Sequence, residues 1–334
     1  MLDIIIPQYK NKENLIRTLN SIAPNDEIDV LVVDDFSQIQ YDDIIERFPF
    51  VKIYYKNKND GPGITRQKGI QLTNNPYIMF IDSGDYFLDK DNNIKEVLET
   101  IKNNPDIFIF SWQHLNNGTV EPESHARLHA RVYHRGFLEK YNISFSQEGS
   151  RMNEDVGFNR ACRLILRQLE KTENNTHKKI IQSPLIVWDR TDKNSITKKN
   201  NGSIIYEQQN LGLAINEFHV LEIARNNHLE DEIILEEISE IMLALYYHFL
   251  CALQERPEFI QNAWDGAKLF YDKEFSKLSN EDPTLLSFTK SQMMIRIRKK
   301  FKYWDFKIPI NINFFLESLQ FNNIPKFYLE RINI

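Results

Sequence analysis

Apolar and polar positions come in alternating blocks from Met1 to about Ile205. Leu2–Ile6, Val30–Val33, Val51–Tyr55, Tyr77–Ile81 and Ile107–Trp112 are short, nearly all-apolar runs. Runs of that kind are expected of strands covered on both faces. Between them, Glu13–Ile22 places Leu15, Leu19 and Ile22 at helical spacing, and Tyr41–Phe48, Arg66–Leu72 and Lys95–Lys102 read as further helices. Strand–helix alternation predicts a mostly parallel sheet flanked by helices. Ligands in such sheets sit at the carboxyl ends of the strands. Acidic residues of this chain fall there: Asp34 and Asp35 after the second run, Asp82 and Asp85 after the fourth.

Beyond about Tyr206 the rhythm becomes helical. Ile234, Ile238, Ile241, Leu245, Phe249 and Leu253 repeat every three to four residues, which is a helical stripe. Asn216–Arg225, Phe259–Phe275 and Leu285–Lys302 also read as helices, and strand-like alternation returns only in the last thirty or so residues. The expectation is an α/β domain over 1–203 and an all-helical domain over 204–334, divided at the polar stretch Lys198–Ser203.

Composition narrows this picture in three ways. With 42% hydrophobic residues in 334, the chain has the apolar mass for a real core, so wholesale disorder is excluded. A net charge of −6 excludes a surface built throughout to coat nucleic acid. The only two cysteines, Cys162 and Cys251, lie far apart and frame neither a zinc site nor a disulfide scaffold. The opening MLDIIIPQYK has no basic segment before its apolar run, and the longest apolar stretch, near Ile241–Leu253, falls short of the about 20 residues a bilayer requires. These features read as a cytoplasmic protein without a transmembrane segment. One local exception is the basic, aromatic-rich run at 295–307, IRIRKKFKYWDFK. It reads either as a solvated helix face or as a patch for an anionic membrane surface, a phosphorylated glycan or nucleic acid.

Four clusters carry candidate chemistry. Asp34-Asp35 could cap the next helix with Ser37, or accept hydrogen bonds from a nucleobase or ribose. Asp60–Arg66 is a glycine turn opening a helix, where backbone could approach a ligand and Arg66 grip a phosphate. Asp82-Ser83-Gly84-Asp85 sets two carboxylates at a strand end, a donor set suited to Mg²⁺ or Mn²⁺ carrying a diphosphate. Asn153-Glu154-Asp155 opens a helix over Val156–Leu166 and offers either helix-capping acids or a general base. His125 and His129 would share a helix face, but no acid or cysteine neighbours them in sequence, which argues against a metal site there.

Taken in order, these clusters resemble the family 2 glycosyltransferases of the GT-A fold. The likeness runs through Ile4-Ile5-Ile6-Pro7-Gln8-Tyr9, Val32–Ser37, Asn59–Arg66, Phe80–Asp85, Tyr133–Phe145 with Glu154-Asp155, and Trp188-Asp189-Arg190 with Asn194–Thr197. It covers about Met1–Thr197 and leaves the helical remainder uncovered. It implies inverting transfer of a sugar from a nucleotide-diphosphate donor, UDP-sugar favoured, to an acceptor hydroxyl. Pro7 and Tyr9 would wall the base pocket. Asp34, Asp35, Gly61, Arg66, Ser83 and Arg190 would complete the donor site. Asp82 and Asp85 would hold Mn²⁺ or Mg²⁺, and Asp155, with Glu154 as runner-up, would act as base.

The sequence departs from the family pattern at Lys10, Gln67 and Gly84. Gly84 stands where the middle acid of the metal motif is expected, so either Asp82 and Asp85 share the ion or Asp189 completes the shell. The acceptor reads as a glycan or lipid-linked saccharide. The alternatives are a phage-type transferase acting on modified DNA bases and an inactive nucleotide-sugar-binding protein. A nucleotidyltransferase would want a basic glycine-rich loop near the N-terminus, and the sequence has none there.

Overall fold

The computed structural model describes residues 1–121, 128–148, 153–173, 176–189, 203–281, 287, 289–291, 293–294 and 311–330. The chain divides into two compact units, Met1–Ser195 and Ile196–Ile334. Arg190, His125, the Asn194–Thr197 motif, the Lys198–Ser203 stretch apart from Ser203 itself, most of the helix expected over Leu285–Lys302, and the basic run at 295–307 lie outside the described residues.

The first unit is built on β1 (Leu2–Gln8), β2 (Ile28–Asp34), β3 (Val51–Tyr55) and β4 (Tyr77–Phe80), joined by helices α1 (Lys12–Asn20), α2 (Asp42–Arg47) and α3 (Pro62–Leu72). β1 pairs in parallel with β2 and with β4, and β2 with β3. Gln8, Asp34 and Tyr55 are in register at one edge, with Phe80 opposite Ile5. Because β1 has β2 on one side and β4 on the other, the chain order reverses there, which opens a crevice at the carboxyl ends.

Four further pieces complete the nine-stranded sheet beside β6 (Ile107–His114): β5 (Tyr86–Phe87), β7 (Val120–Glu121), β8 (Arg131–His134) and β9 (Lys178–Trp188). The order is β3-β2-β1-β4-β8-β6-β9-β5, with β7 on β6. β8 runs antiparallel between β4 and β6, and β9 runs parallel to β6. The sheet is thus parallel in its first half and mixed in its second. The hydrophobic pattern does not reveal β9, for a physical reason. Its KKIIQSPLIVW carries polar residues and Pro184, and its register on β6 slips on either side of Ser111, so no clean period survives.

Three more helices belong to this unit: α4 (Asn93–Ile101), α5 (Arg135–Lys140) and α6 (Glu154–Thr172). The core gathers Leu2, Ile4 and Ile6 of β1, Val30 and Val32 of β2 and Met79 of β4 with Leu15, Leu19, Ile94 and Val97 of the helices. At the amino ends of the strands, away from the acidic edge, Arg135 donates to Asp3 at 2.9 Å while Asn75 donates to both oxygens of the same carboxylate at 2.8 Å. This buried knot ties α5 to β1.

The second unit is helical: α7 (Ser203–Asn226), α8 (Asp231–Glu255), α9 (Ile260–Phe270), a π-helical turn at Tyr271–Phe275 and α10 (Ser276–Glu281). Within the expected stripe of α8, Ile238, Ile241, Leu245, Phe249 and Leu253 are all buried. The strand-like alternation near the C-terminus resolves instead into two short helices, Ile312–Ser318 and Lys326–Leu329, the first capped by the Asn311 side chain on the Phe314 amide. Cys162 and Cys251 are buried free thiols. Among the described residues, no helix is long and apolar enough to cross a membrane.

Candidate active site

Each strand end delivers its acid through a turn with its own local cause. After β2, Asp34 is internal: its carboxylate takes the Tyr41 hydroxyl at 2.9 Å and the Ser37 amide at 2.8 Å. It thus caps a turn ahead of α2 and not the helix itself, whose N-cap is Tyr41. Asp35 accepts from Lys56 Nζ at 2.7 Å and the Asp60 amide at 3.0 Å on Oδ1, and from the Gly61 amide at 2.9 Å on Oδ2. A carboxylate has about four lone-pair positions, so this one keeps room for one more donor. Tyr9, just past the end of β1, is 45% exposed with Lys10 Nζ 5.0 Å from its ring centroid, and Pro7 is half-buried.

α3 begins at Pro62, behind Gly61 as N-cap at φ +92°. That start brings Arg66 inward one turn later. Its guanidinium is buried and donates to Glu154 at 3.0 Å and to Asp82 at 2.5 Å. Burial works against this charge, but Asp82, Glu154 and Asp155 together outweigh it and raise the pKa. Gly63 makes the approach of α3 to α6 possible, since a Cβ there would stand 3.0 Å from the Glu154 side chain. Below Arg66, Phe145 stacks on Phe158 at 4.3 Å and meets Phe80 edge-on at 5.6 Å, giving the guanidinium a rigid apolar floor.

The turn after β4 explains Gly84. Its φ is +114°, a conformation that side-chain-bearing residues rarely adopt. Its amide donates to Thr18 Oγ1, whose own proton goes to the Asp85 carbonyl, and Arg17 donates to the Gly84 carbonyl at 2.7 Å. The backbone geometry therefore selects glycine where the family pattern has an acid.

The Asp189 carboxylate, 2% exposed, pairs with Arg17 at 2.6 Å, and its amide donates to Asp85 at 3.1 Å. Among the described residues, the group whose side chains converge is Asp82, Asp85 and His129, with ligand atoms all within 4.8 Å of one another. Asp82 is half-exposed and Asp85 buried. Burial opposes the Asp82 charge, yet Arg66 and His129 pull its pKa below the ordinary value, whereas burial lifts that of Asp85 against the pull of His129. Ser83 Oγ is buried next to this pair and, among the described residues, has no hydrogen-bond partner.

The sequence argument weighs only the sequence neighbours of His129, whereas the acids near it, Asp82 and Asp85, come from another strand end. No signal in the linear pattern marks Arg17 or Lys56 either; both act through the three-dimensional crossing of α1 and β3 with the loops.

At the start of α6, Asn153 is left-handed at φ +62°, a conformation Asn tolerates better than most residues. Glu154 is buried on Arg66. Burial first, then the neighbouring Asp155 charge, pushes its pKa up to about 7. Asp155 is half-buried, accepts the Val156 amide at 2.8 Å, and is also raised, chiefly by burial. Of the two acids, Asp155 is the less encumbered.

A sheet parallel in its first half with paired acids and a buried arginine at its carboxyl edge, followed by a helical unit, is the architecture of the GT-A glycosyltransferases. The chain belongs to glycosyl transferase family 2, whose model matches residues 3–171. It is 31% identical over 110 residues to the processive diacylglycerol beta-glycosyltransferase of Mycoplasma genitalium, covering 30% of this chain and 32% of that one. It is 32% identical over 91 residues to the poly(ribitol-phosphate) beta-N-acetylglucosaminyltransferase TarS of Staphylococcus aureus, covering 25% of this chain and 16% of that one. The matches therefore span about a third or less of these relatives. In structure, S. aureus TarS 1–349 superposes with a TM-score of 0.59 at 17% identity over 93% of this chain and 96% of that one. That protein has also been solved with UDP and with UDP-GlcNAc.

Proposed function

We propose that the first unit binds a UDP-sugar together with Mn²⁺ or Mg²⁺ and transfers the sugar, with inversion, to an acceptor hydroxyl. The observation that carries this reading is the convergence on one sheet edge of Asp82 and Asp85, of Arg66, and of a half-buried Asp155 one element away. The remaining lone-pair position on Asp35 suits one imino N–H of a uracil, with Tyr9 and Pro7 beside the ring. The UDP complexes of the structurally similar TarS support this donor. A divalent ion held by Asp82 and Asp85 would supply positive charge to the departing diphosphate. Arg66 is too deeply committed to Asp82 and Glu154 to bind phosphate freely; it positions both acids. Asp155 takes the proton of the attacking hydroxyl, while Glu154 stays on Arg66 and keeps the start of α6 in place. Gly61 gives backbone access beside the donor, and Ser83 offers a buried hydroxyl next to the acids.

For the acceptor, we favour a glycan or a polyol- or lipid-linked saccharide, in keeping with the substrates named for the two relatives. Nothing among the described residues favours modified DNA. The helical unit is assigned to acceptor or partner contacts, and the protein to the cytoplasm, where nucleotide-sugars are supplied.

Calorimetry tests the donor half. UDP should bind more tightly with Mn²⁺ than without, and Asp82→Ala and Asp85→Ala should lose that difference. A Mn²⁺ difference that survived in both variants would remove Asp82 and Asp85 as holders of the ion, and a wild type indifferent to Mn²⁺ would remove the metal from the reading.

A further inference from the structure

The metal motif of this chain lacks its middle acid, and the turn that would present one is committed to glycine by its backbone. Yet the edge is not short of a donor. His129 comes in ahead of β8, on the far side of β4, and sets Nδ1 3.1 Å from Asp85 Oδ2. Its ring centroid is 6.4 Å from that of Trp112 and 5.2 Å from that of Trp188. Asp85 is 5% exposed, and among the described residues no donor is aligned on its Oδ2. A buried carboxylate oxygen without an aligned proton, facing an imidazole nitrogen and a second carboxylate, is an arrangement that a cation completes.

We propose that His129 is the third protein ligand of the divalent ion, standing in for the acid missing at Gly84, and that its nitrogen makes the site select Mn²⁺ or Co²⁺ over Mg²⁺. This rests on the reading that Asp82 and Asp85 hold an ion. The chemistry follows from the donor set. Two carboxylates alone form a hard oxygen site, which Mg²⁺ and Mn²⁺ both accept. An imidazole adds a donor that first-row transition ions bind well, whereas Mg²⁺ favours oxygen and keeps its waters. Arg17 then has a positioning role: it holds the Gly84 carbonyl and the Asp189 carboxylate, and the Asp189 amide in turn fixes Asp85.

Pulsed EPR of the full chain with Mn²⁺ and UDP tests this without relying on turnover. The expected result is bound Mn²⁺ with a ¹⁴N coupling that changes to ¹⁵N in protein labelled at histidine and vanishes in His129→Gln. That variant should bind Mn²⁺ at least about tenfold more weakly, with a smaller loss for Mg²⁺, and His129→Asp should regain Mg²⁺ binding by restoring an all-oxygen set. Bound Mn²⁺ without nitrogen coupling in the wild type would overturn the proposal and leave Asp82 and Asp85 as the holders of the ion. It would make His129 a structural partner of Asp85. No bound Mn²⁺ at all would remove both readings. Because the deciding signal is read on the wild type, a variant that folds poorly does not blur the result.

Discussion

At the level of single residues, the division of labour between Glu154 and Asp155 is the sharpest claim. Asp155→Asn keeps size and still accepts the Val156 amide through its carbonyl oxygen, so melting and UDP affinity should hold. Transfer should fall by about 10²- to 10⁴-fold, the usual cost of losing a positioned base. Full activity in Asp155→Asn beside an inactive Glu154→Gln would hand the role to Glu154. The two acids at this helix start are legible in the sequence, but their division of labour is not. Which of them is held by Arg66 depends on how α3 meets α6. His129 shows the same limit from the other side: a ligand set assembled across strands leaves no local spacing to read. Gly84, by contrast, is visible as a departure in the sequence, and only its φ shows why the departure is stable.

At the level of elements, α6 and α5 make separate predictions. Glu154 binds its proton more tightly in the folded chain than in the unfolded one, where its pKa is near 4.5. Stability should therefore fall as pH climbs from that value to about 7, and level off above it. Thermal melts across that window should show a steeper slope in wild type than in Glu154→Gln, which keeps only the share of the other raised acids, Asp155 and Asp85. A wild type that grew more stable over the same window would contradict the raised pKa. The knot under α5 concerns folding only. Asp3→Ala leaves Arg135 buried beside Asn75 without its carboxylate, which should cost about 3–5 kcal/mol in denaturant melts while UDP affinity, measured where the variant is folded, stays unchanged. Strands β1 to β4 and β6 are legible because all-apolar runs have no other stable home. β8 and β9 are not: β8 is a buried four-residue strand with Arg131 and His134 at its ends, β9 is partly exposed and interrupted by Pro184, and the pairing of both is decided by long-range register.

For the whole molecule, the overall charge of −6 contrasts with the basic run at 295–307. Exposed charges act on a charged partner through a screened field. Replacing Arg296, Arg298 and Lys300 with Gln should raise the acceptor KM and flatten its dependence on salt, with donor hydrolysis unchanged. An equal fall in donor hydrolysis would show that the run serves folding and not the acceptor. The two-part organisation itself is legible from the change of period near Tyr206. A binding surface on the helical unit is not, because surface contacts leave no periodic signature.

Arg66 carries a consequence for how such a protein could change over generations. One buried guanidinium pairs with two acids, the half-exposed Asp82 and the buried Glu154. Losing the arginine would leave Glu154 buried beside Asp155 without a cation, and losing either acid would leave the buried arginine short of countercharge. A lineage drifting from catalysis to mere nucleotide binding could not discard these residues one at a time without passing through poorly folded ancestors. It would have to exchange them as a group, for apolar side chains of similar bulk. This chain carries all three, with Asp155 beside them.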